Sequence, residues 1–337
     1  MMRADFVVRK LGFAVITLLV VIVFNFFLFR ILPGDPVRLL FRNPRLTRDA
    51  QELIRVQFGL DKPVWLDTEK LSAGDIGGAL DSQFVAYVRN LAQGNLGISF
   101  ANRQAVGELL SERVWRTVIL VFAGETLAIL IGASVGMIAA WKRGSPIDAA
   151  SLIVGLMMWA LPTFFLGIIL LILARGVLPM GGMVTPGYAN EGTAAYWLDV
   201  ARHLILPTIT LAVVSASGYM LIMRSSVVDV LSEDYILTAK AKGMSNLRIL
   251  RSHALKNAML PMVTIVALTL GYTVGGAIQV ETVFSWPGIG RLIYDSVAKQ
   301  DYPVLQGAFL LIAVSVILAN LAADILYSVL DPRVKLA

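Results

Sequence analysis

Apolar residues in this chain gather into runs much longer than one buried face of a helix or strand requires. The first, Leu11–Phe29, holds 19 residues. As a helix it would extend roughly 28 Å, close to the ~30 Å hydrocarbon core of a bilayer. Further runs cover residues 114–141, 149–173, 204–223, 258–280 and 304–330. They predict six transmembrane helices and an all-α, polytopic membrane fold. Pro162 lies inside the third run, where its missing N–H predicts a kink. Pro261 lies in the first turn of the fifth, where proline is tolerated.

The polar stretches set the topology. Arg3, Arg9 and Lys10 precede the first run, and Phe29-Arg30-Ile31-Leu32-Pro33 offers no small-x-small cleavage site, so the first span reads as uncleaved. Pro33-Gly34-Asp35-Pro36 ends it, and a large extracytoplasmic loop follows to residue 113, with ten basic and ten acidic residues in balance. Within that loop, 48–57 reads as a short helix stopped by Gly59. Residues 67–83 read as an exposed, glycine-containing excursion, and Gly94-Asn95-Leu96-Gly97 as a turn. Lys142-Arg143-Gly144-Ser145-Pro146 forms a basic cytoplasmic corner, 175–203 an outer return, and 281–302 a second outer loop. An even span count places both termini in the cytoplasm, where basic flanks belong. The chain thus divides into 1–32 (N-terminal region and first span), 33–113 (outer loop region) and 114–333 (a core of five helices).

Composition fits this picture. The chain has 337 residues, 57% of them hydrophobic, above the ~45–50% of soluble domains. Its mean hydropathy is +0.74. The net charge of +6 reads as Lys and Arg on cytoplasmic loops rather than as a nucleic-acid surface. With no cysteine and two histidines, His203 and His253, a disulfide framework is excluded and a His- or Cys-based metal or nucleophile site is disfavoured.

The most charge-patterned stretch is the elbow between spans four and five. From Ser232 it reads as two short helices joined at a glycine. Ser232 is positioned to cap the first, with Glu233 and Asp234 where the helix dipole favours negative charge. Lys240 and Lys242 close its last turn, and Gly243 supplies a left-handed stop. Ser245 is positioned to cap the second, which sets Leu247, Leu250, Ala254 and Leu255 on one face. A polar elbow of this kind cannot lie in lipid and must rest against something in water. Helix–glycine–helix patterns also occur in DNA-binding proteins. This one is wedged between two spans and lacks the soluble core that use requires.

Together, Glu233-Asp234-Tyr235-Ile236, Thr238-Ala239-Lys240-Ala241-Lys242-Gly243 and His253-Ala254-Leu255-Lys256-Asn257 resemble the cytoplasmic "EAA" coupling loop of ATP-binding-cassette (ABC) importer permeases. They are most similar to the dipeptide/oligopeptide/nickel branch. Leu237-Thr238-Ala239 takes the Glu-Ala-Ala place, and Lys256 stands where the general pattern has proline. Leu32-Pro33-Gly34-Asp35-Pro36-Val37, Phe58-Gly59-Leu60-Asp61-Lys62-Pro63, Gly94-Asn95-Leu96-Gly97-Ile98-Ser99, Leu161-Pro162-Thr163-Phe164 and Val280-Glu281-Thr282-Val283-Phe284-Ser285-Trp286-Pro287-Gly288-Ile289-Gly290 extend the resemblance along nearly the whole chain. Only 64–82 looks longer than the family's usual loop.

The resemblance implies a type I (MetI-like) importer permease in a prokaryotic plasma (inner) membrane. It implies a second, similar permease, two cytoplasmic ATPases carrying ATP and Mg2+, and an extracytoplasmic binding protein delivering peptides. Nickel chelates and small glycosides share this permease type. The chain itself would bind no cofactor, no metal and no nucleic acid, and it would hydrolyse nothing: no Gly-x-x-x-x-Gly-Lys-Ser/Thr loop occurs in it. The coupling loop, 225–257, would dock the ATPases through Glu233, Asp234, Tyr235, Thr238, Ala239, Ala241, Lys242, Gly243, His253, Leu255 and Asn257. Candidates for the path or its outer gate are Glu125, Pro162, Gly271, Gly275, Glu281, Trp286, Pro287 and Gly288. An acid such as Glu125 inside a span is a functional candidate by default, against the plainer reading of a hydrogen bond to a neighbouring helix. Gly132-x-x-x-Gly136 and Gly271-x-x-x-Gly275 read first as packing surfaces. An ion-coupled carrier would bury several paired charges near mid-membrane, and spans one, four and five have none there. A membrane-embedded enzyme would show a cluster of reactive groups, and none is visible.

Overall fold

The computed structural model describes residues 4–31, 61–188, 190–255 and 277–330, together with 257–259, 261–263, 265, 266 and 269. The helix expected over 48–57, most of the fifth span, and Gly271 and Gly275 lie outside these residues. In chain order the helices are α1 (Ala4–Ile31), α2 (Thr68–Ser72), α3 (Ile76–Ala79), α4 (Gln83–Ala92), α5 (Val106–Trp141), α6 (Pro146–Ala160), α7 (Thr163–Leu173), α8 (Ala194–Leu231), α9 (Asp234–Ala241) and α10 (Asn246–Ile249). A π-helical turn (Leu250–Ala254) follows, then α11 (Ile278–Val283), α12 (Ile289–Lys299) and α13 (Tyr302–Leu330). Four helices among the described residues are long and apolar enough to cross a membrane, over 8–30, 106–141, 194–231 and 302–325.

Where a kink was expected at Pro162, the chain breaks outright. Helices α6 and α7 meet at 98°. Proline forces the residue before it out of the helical region, and Leu161 is extended at φ −71°, ψ 126°. Two other boundaries shift. Helix α5 begins eight residues before the predicted span start at 114, and α8 begins at Ala194, so the outer return is shorter than 175–203. In both cases helix outlasts hydrophobicity, because amphipathic turns continue the hydrogen-bond ladder beyond the apolar run.

Contacts gather the chain into two units. One comprises residues 1–14, 114–291 and 314–337. Its core joins Leu120, Tyr196, Val200, Leu206, Val280, Phe284 and Trp286, and a second cluster joins Ala128, Ala212, Ala216, Tyr219, Met223 and Met262. Glycine permits the second cluster: a Cβ on Gly132 would stand 2.5 Å from the Ala216 carbonyl oxygen, so α5 lies directly on α8. Arg224 of α8 forks onto Asp148 of α6 with bonds of 2.6 and 2.8 Å, and Asp148 also accepts from the Gly144 N–H. Lys10 pairs with Asp324 at 2.7 Å.

The other unit comprises residues 15–113 and 292–313. Phe26, Phe27, Trp65, Phe84 and Tyr87 form an aromatic cluster in it. Asp301 is buried before α13 and accepts from Ser99 Oγ, Phe100 N–H and Ala101 N–H, so its charge is met by three donors.

Candidate functional site: the elbow between spans four and five

Helix α8 runs through to Leu231, which changes the role expected of Ser232. The serine closes α8 instead of opening the next helix, with its N–H and its Oγ both bonded to the Asp229 carbonyl at 3.1 and 2.6 Å. Glu233 takes the N-cap position of α9 without a side-chain cap bond. The end of α9 is as the sequence suggested, and more fully satisfied. Gly243 is left-handed at φ +73°. Its N–H bonds the Lys240 carbonyl at 2.9 Å, and the Met244 N–H reaches back to Ala239 at 3.3 Å. This is the paired bonding of a Schellman cap, and Met244 packs against the Ile236–Ala239–Ile249 cluster, in keeping with the apolar contact that accompanies such a cap.

The eight residues of α9 form a rod about 12 Å long. Isolated helices of that length do not persist in water, so tertiary contacts must hold it. Ile236 and Ala239 are buried with Ile249, and Val230, Leu231 and Met244 pack against them. Asn257 Nδ2 donates to the Tyr235 hydroxyl at 2.7 Å, tying the first turn of α9 to the chain entering span five. A two-helix knot with its own small core and a cross-tie is a stiff body.

The same packing divides the sequence candidates. Ala239 is turned inward and belongs to the elbow's core. Glu233, Asp234, Tyr235, Thr238, Ala241, Lys242 and Gly243 lie on the surface, as does Asn257. Leu255 is half-buried, and His253 falls in the π turn. Leu237, which holds the first position of the Glu-Ala-Ala place but is not among the docking candidates, is 58% exposed on the outward side of α9. The signal was available: it is adjacent to Ile236, which faces inward, and one turn before Ala241, which faces out. Leu237 and Ala241, four residues apart, share one exposed face of α9 and give it a small apolar strip, with Asp234 and Thr238 beside them on the same face.

The path candidates resolve differently. Glu125 is 7% exposed. It accepts from Ser215 Oγ at 3.0 Å and Tyr219 OH at 2.7 Å, both on α8. Glu281, expected in a loop, lies in α11 and is fully buried. It accepts from Thr117 Oγ1 (2.7 Å) and the Arg291 N–H (3.0 Å), while Thr117 Oγ1 accepts from the Ile289 N–H (2.8 Å). Two side chains distant in sequence thereby cap the first turn of α12 and place a carboxylate at its positive end. Trp286 is fully buried, and its indole N–H donates to the Arg116 carbonyl at 2.9 Å. Gly288 packs on the Glu281 carboxylate with no room for a Cβ, and Pro287 sits between these anchors. The run 281–290 is thus an internal brace, and Trp286 offers no surface to an incoming protein in this conformation.

Comparison with known proteins agrees with this architecture. Residues 132–336 match the sequence model for "Binding-protein-dependent transport system inner membrane component". Residues 1–121 match that for the N-terminal part of the same membrane component. The dipeptide transport system permease protein DppB of Escherichia coli K12 is 34% identical over 98% of both chains. The di/tripeptide transport system permease protein DppB of Pseudomonas aeruginosa (strain UCBPP-PA14) is 36% identical, also over 98% of both. The glutathione transport system permease protein GsiC of Escherichia coli O6:H1 is 36% identical over 98% of this chain and 99% of its own. Among solved structures, an inward-facing MetNI methionine ABC transporter matches with a TM-score of 0.54 at 19% identity, over 66% of this chain and 96% of that one.

Proposed function

The chain belongs to the family of binding-protein-dependent transport system inner membrane components, and from that premise we propose that it forms half of a translocation path for peptides. The family makes it a multi-pass permease of the inner membrane in an ABC importer, working with an extracytoplasmic binding protein and with partner ATPases that hydrolyse the ATP. In our reading the other half of the path is a second, similar permease. Both termini face the cytoplasm. ATP and Mg2+ are bound by the partners, and the 114–333 core does the moving.

What carries the coupling reading is the elbow. Helix α9 is capped, cored and cross-tied, yet presents Tyr235, Leu237, Thr238 and Ala241 outward. Set in a groove on an ATPase, such a body transmits displacement instead of absorbing it. The rigid extension of α8, braced by the Asp148–Arg224 fork, would carry that displacement into the spans. Peptides are supported as cargo by the names of the relatives, and all of them align nearly end to end with this chain.

The natural absence of cysteine makes the docking testable by site-specific crosslinking. Leu237→Cys and Ala241→Cys, labelled with a maleimide–benzophenone reagent, are expected to photocrosslink to the ATPase, with a yield that changes when ATP is added. Ile236→Cys, facing the elbow's own core, is expected not to crosslink. Equal yields at the inward and outward positions, or none at the outward ones in an assembled transporter, would refute the docking assignment.

A further inference from the structure

The stretch 62–84 closes on itself. Gln83 and Phe84 donate backbone N–H bonds to the carbonyls of Pro63 and Val64 at 2.9 and 3.1 Å, and Asp67 donates to Ala79 at 3.1 Å. Gln83 Nε2 adds a bond to the Lys62 carbonyl at 2.7 Å. Asp67 and Asp75 cap α2 and α3 through the N–H groups of Lys70 and Gly78. Lys62 pairs with Asp81, which holds the Asp81 carboxyl below its usual range. Many of the loop's polar groups are therefore engaged inside it, while Val64, Trp65, Leu71, Ile76 and Leu80 stand exposed, Ile76 at 66%. So much apolar surface on a short segment marks an interaction site.

Its depth is set by aromatic packing. The Trp65 ring lies 5.3 Å from Phe27 and 4.4 Å from Phe84, and Phe84 lies 5.2 Å from Phe26. Phe26 and Phe27 are on α1, roughly 5 Å along the axis from Arg30, the charge that ends the span. Phe24, 64% exposed, continues the apolar surface of α1 inward from there. Trp65 therefore sits where a membrane helix leaves hydrocarbon, the zone that tryptophan favours.

We infer that the 62–84 loop rests in the headgroup–acyl boundary of the leaflet at the Arg30 end of α1, with Val64, Leu71, Ile76 and Leu80 turned into lipid. The surface is continuous with the lipid-facing wall of the span, and internal bonding of its polar groups lowers the cost of leaving water. Seated there, the loop is an anchor that holds α1 at a fixed depth against tilt.

The test uses the full chain in nanodiscs, in the assembled transporter, with single Ile76→Cys or Leu80→Cys substitutions carrying an environment-sensitive fluorophore. The expected result is blue-shifted emission, quenched by lipid bearing a shallow nitroxide and protected from aqueous iodide. Glu69→Cys, on the charged part of the loop, is expected to show the reverse. Water-like emission and iodide quenching at Ile76 and Leu80 would overturn the inference. So would protection that arises only when a binding protein is added, which would make the loop a protein-docking surface.

Discussion

The elbow around α9 and the brace around 281–291 are built to the same plan, a short helix, a glycine-bearing turn and a second helix, but they are held together in opposite ways. The elbow is held locally: its Schellman cap, its three buried residues and the Tyr235–Asn257 bond all fall within 28 residues, 230–257. A Cβ added to Gly243 meets open space. The brace is held from far away, by Thr117 and Arg116 of α5, and a Cβ on Gly290 would stand 2.6 Å from the Ile278 backbone. A self-contained knot keeps its outer surface free for a partner. A cornerstone uses its side chains inward.

Substitutions should separate the two. Trp286→Ala removes the largest fully buried side chain among the described residues, along with its bond to the Arg116 carbonyl, so a loss of about 3–5 kcal/mol is expected. The measurement is thermal unfolding in detergent together with membrane abundance. An unchanged melting profile would mean that the brace carries no load. Gly290→Ala forces backbone apart and should cost about 1–3 kcal/mol. Gly243→Ala meets no obstacle but places a side chain at positive φ, costing about 1–2 kcal/mol. That loss should be confined to the elbow: hydrogen exchange should speed in α9 and not in α5 or α8. Global destabilisation by Gly243→Ala that matched Gly290→Ala would erase the distinction between the two regions.

The elbow was legible in the sequence because its contacts are short-ranged. A glycine after two lysines predicts a left-handed stop from local sterics alone, and φ +73° is what the chain adopts. The brace was not legible, because Glu281 meets Thr117 across 164 residues of chain. From sequence, Glu281 and Trp286 had the exposed-loop look of gate residues. Ser232 differs from its expected N-cap role for a related reason: any serine before Glu-Asp suits an N-cap on local grounds, but α8 runs on to Leu231 and makes this one its C-cap. The Pro162 break was visible as a position but not as an angle, because the 98° depends on what α6 and α7 pack against. Ala239 illustrates the same limit inside the elbow. Motif matching sets it beside Thr238 as a docking residue, but only packing shows that it faces Ile249. An acidic substitution there would bury a charge and unfold the elbow, and so would not report on docking.

The smallest effect on stability is the most informative about function. Leu237→Asp exchanges an exposed apolar side chain for a charged one on the outer side of α9, where no described residue packs over it. A change within about 0.5 kcal/mol is expected, as for most surface substitutions. If the apolar strip of α9 is what an ATPase grips, the same substitution puts an unpaired carboxylate into that interface, a truncation and a desolvation cost together. Membrane abundance and melting should then stay at the parental level while ATPase co-purification and uptake fall together. A variant that keeps both activities would show that α9 does not dock through this strip. One that loses both along with its melting transition would show that Leu237 serves the fold instead, which would make the elbow a cornerstone like the brace.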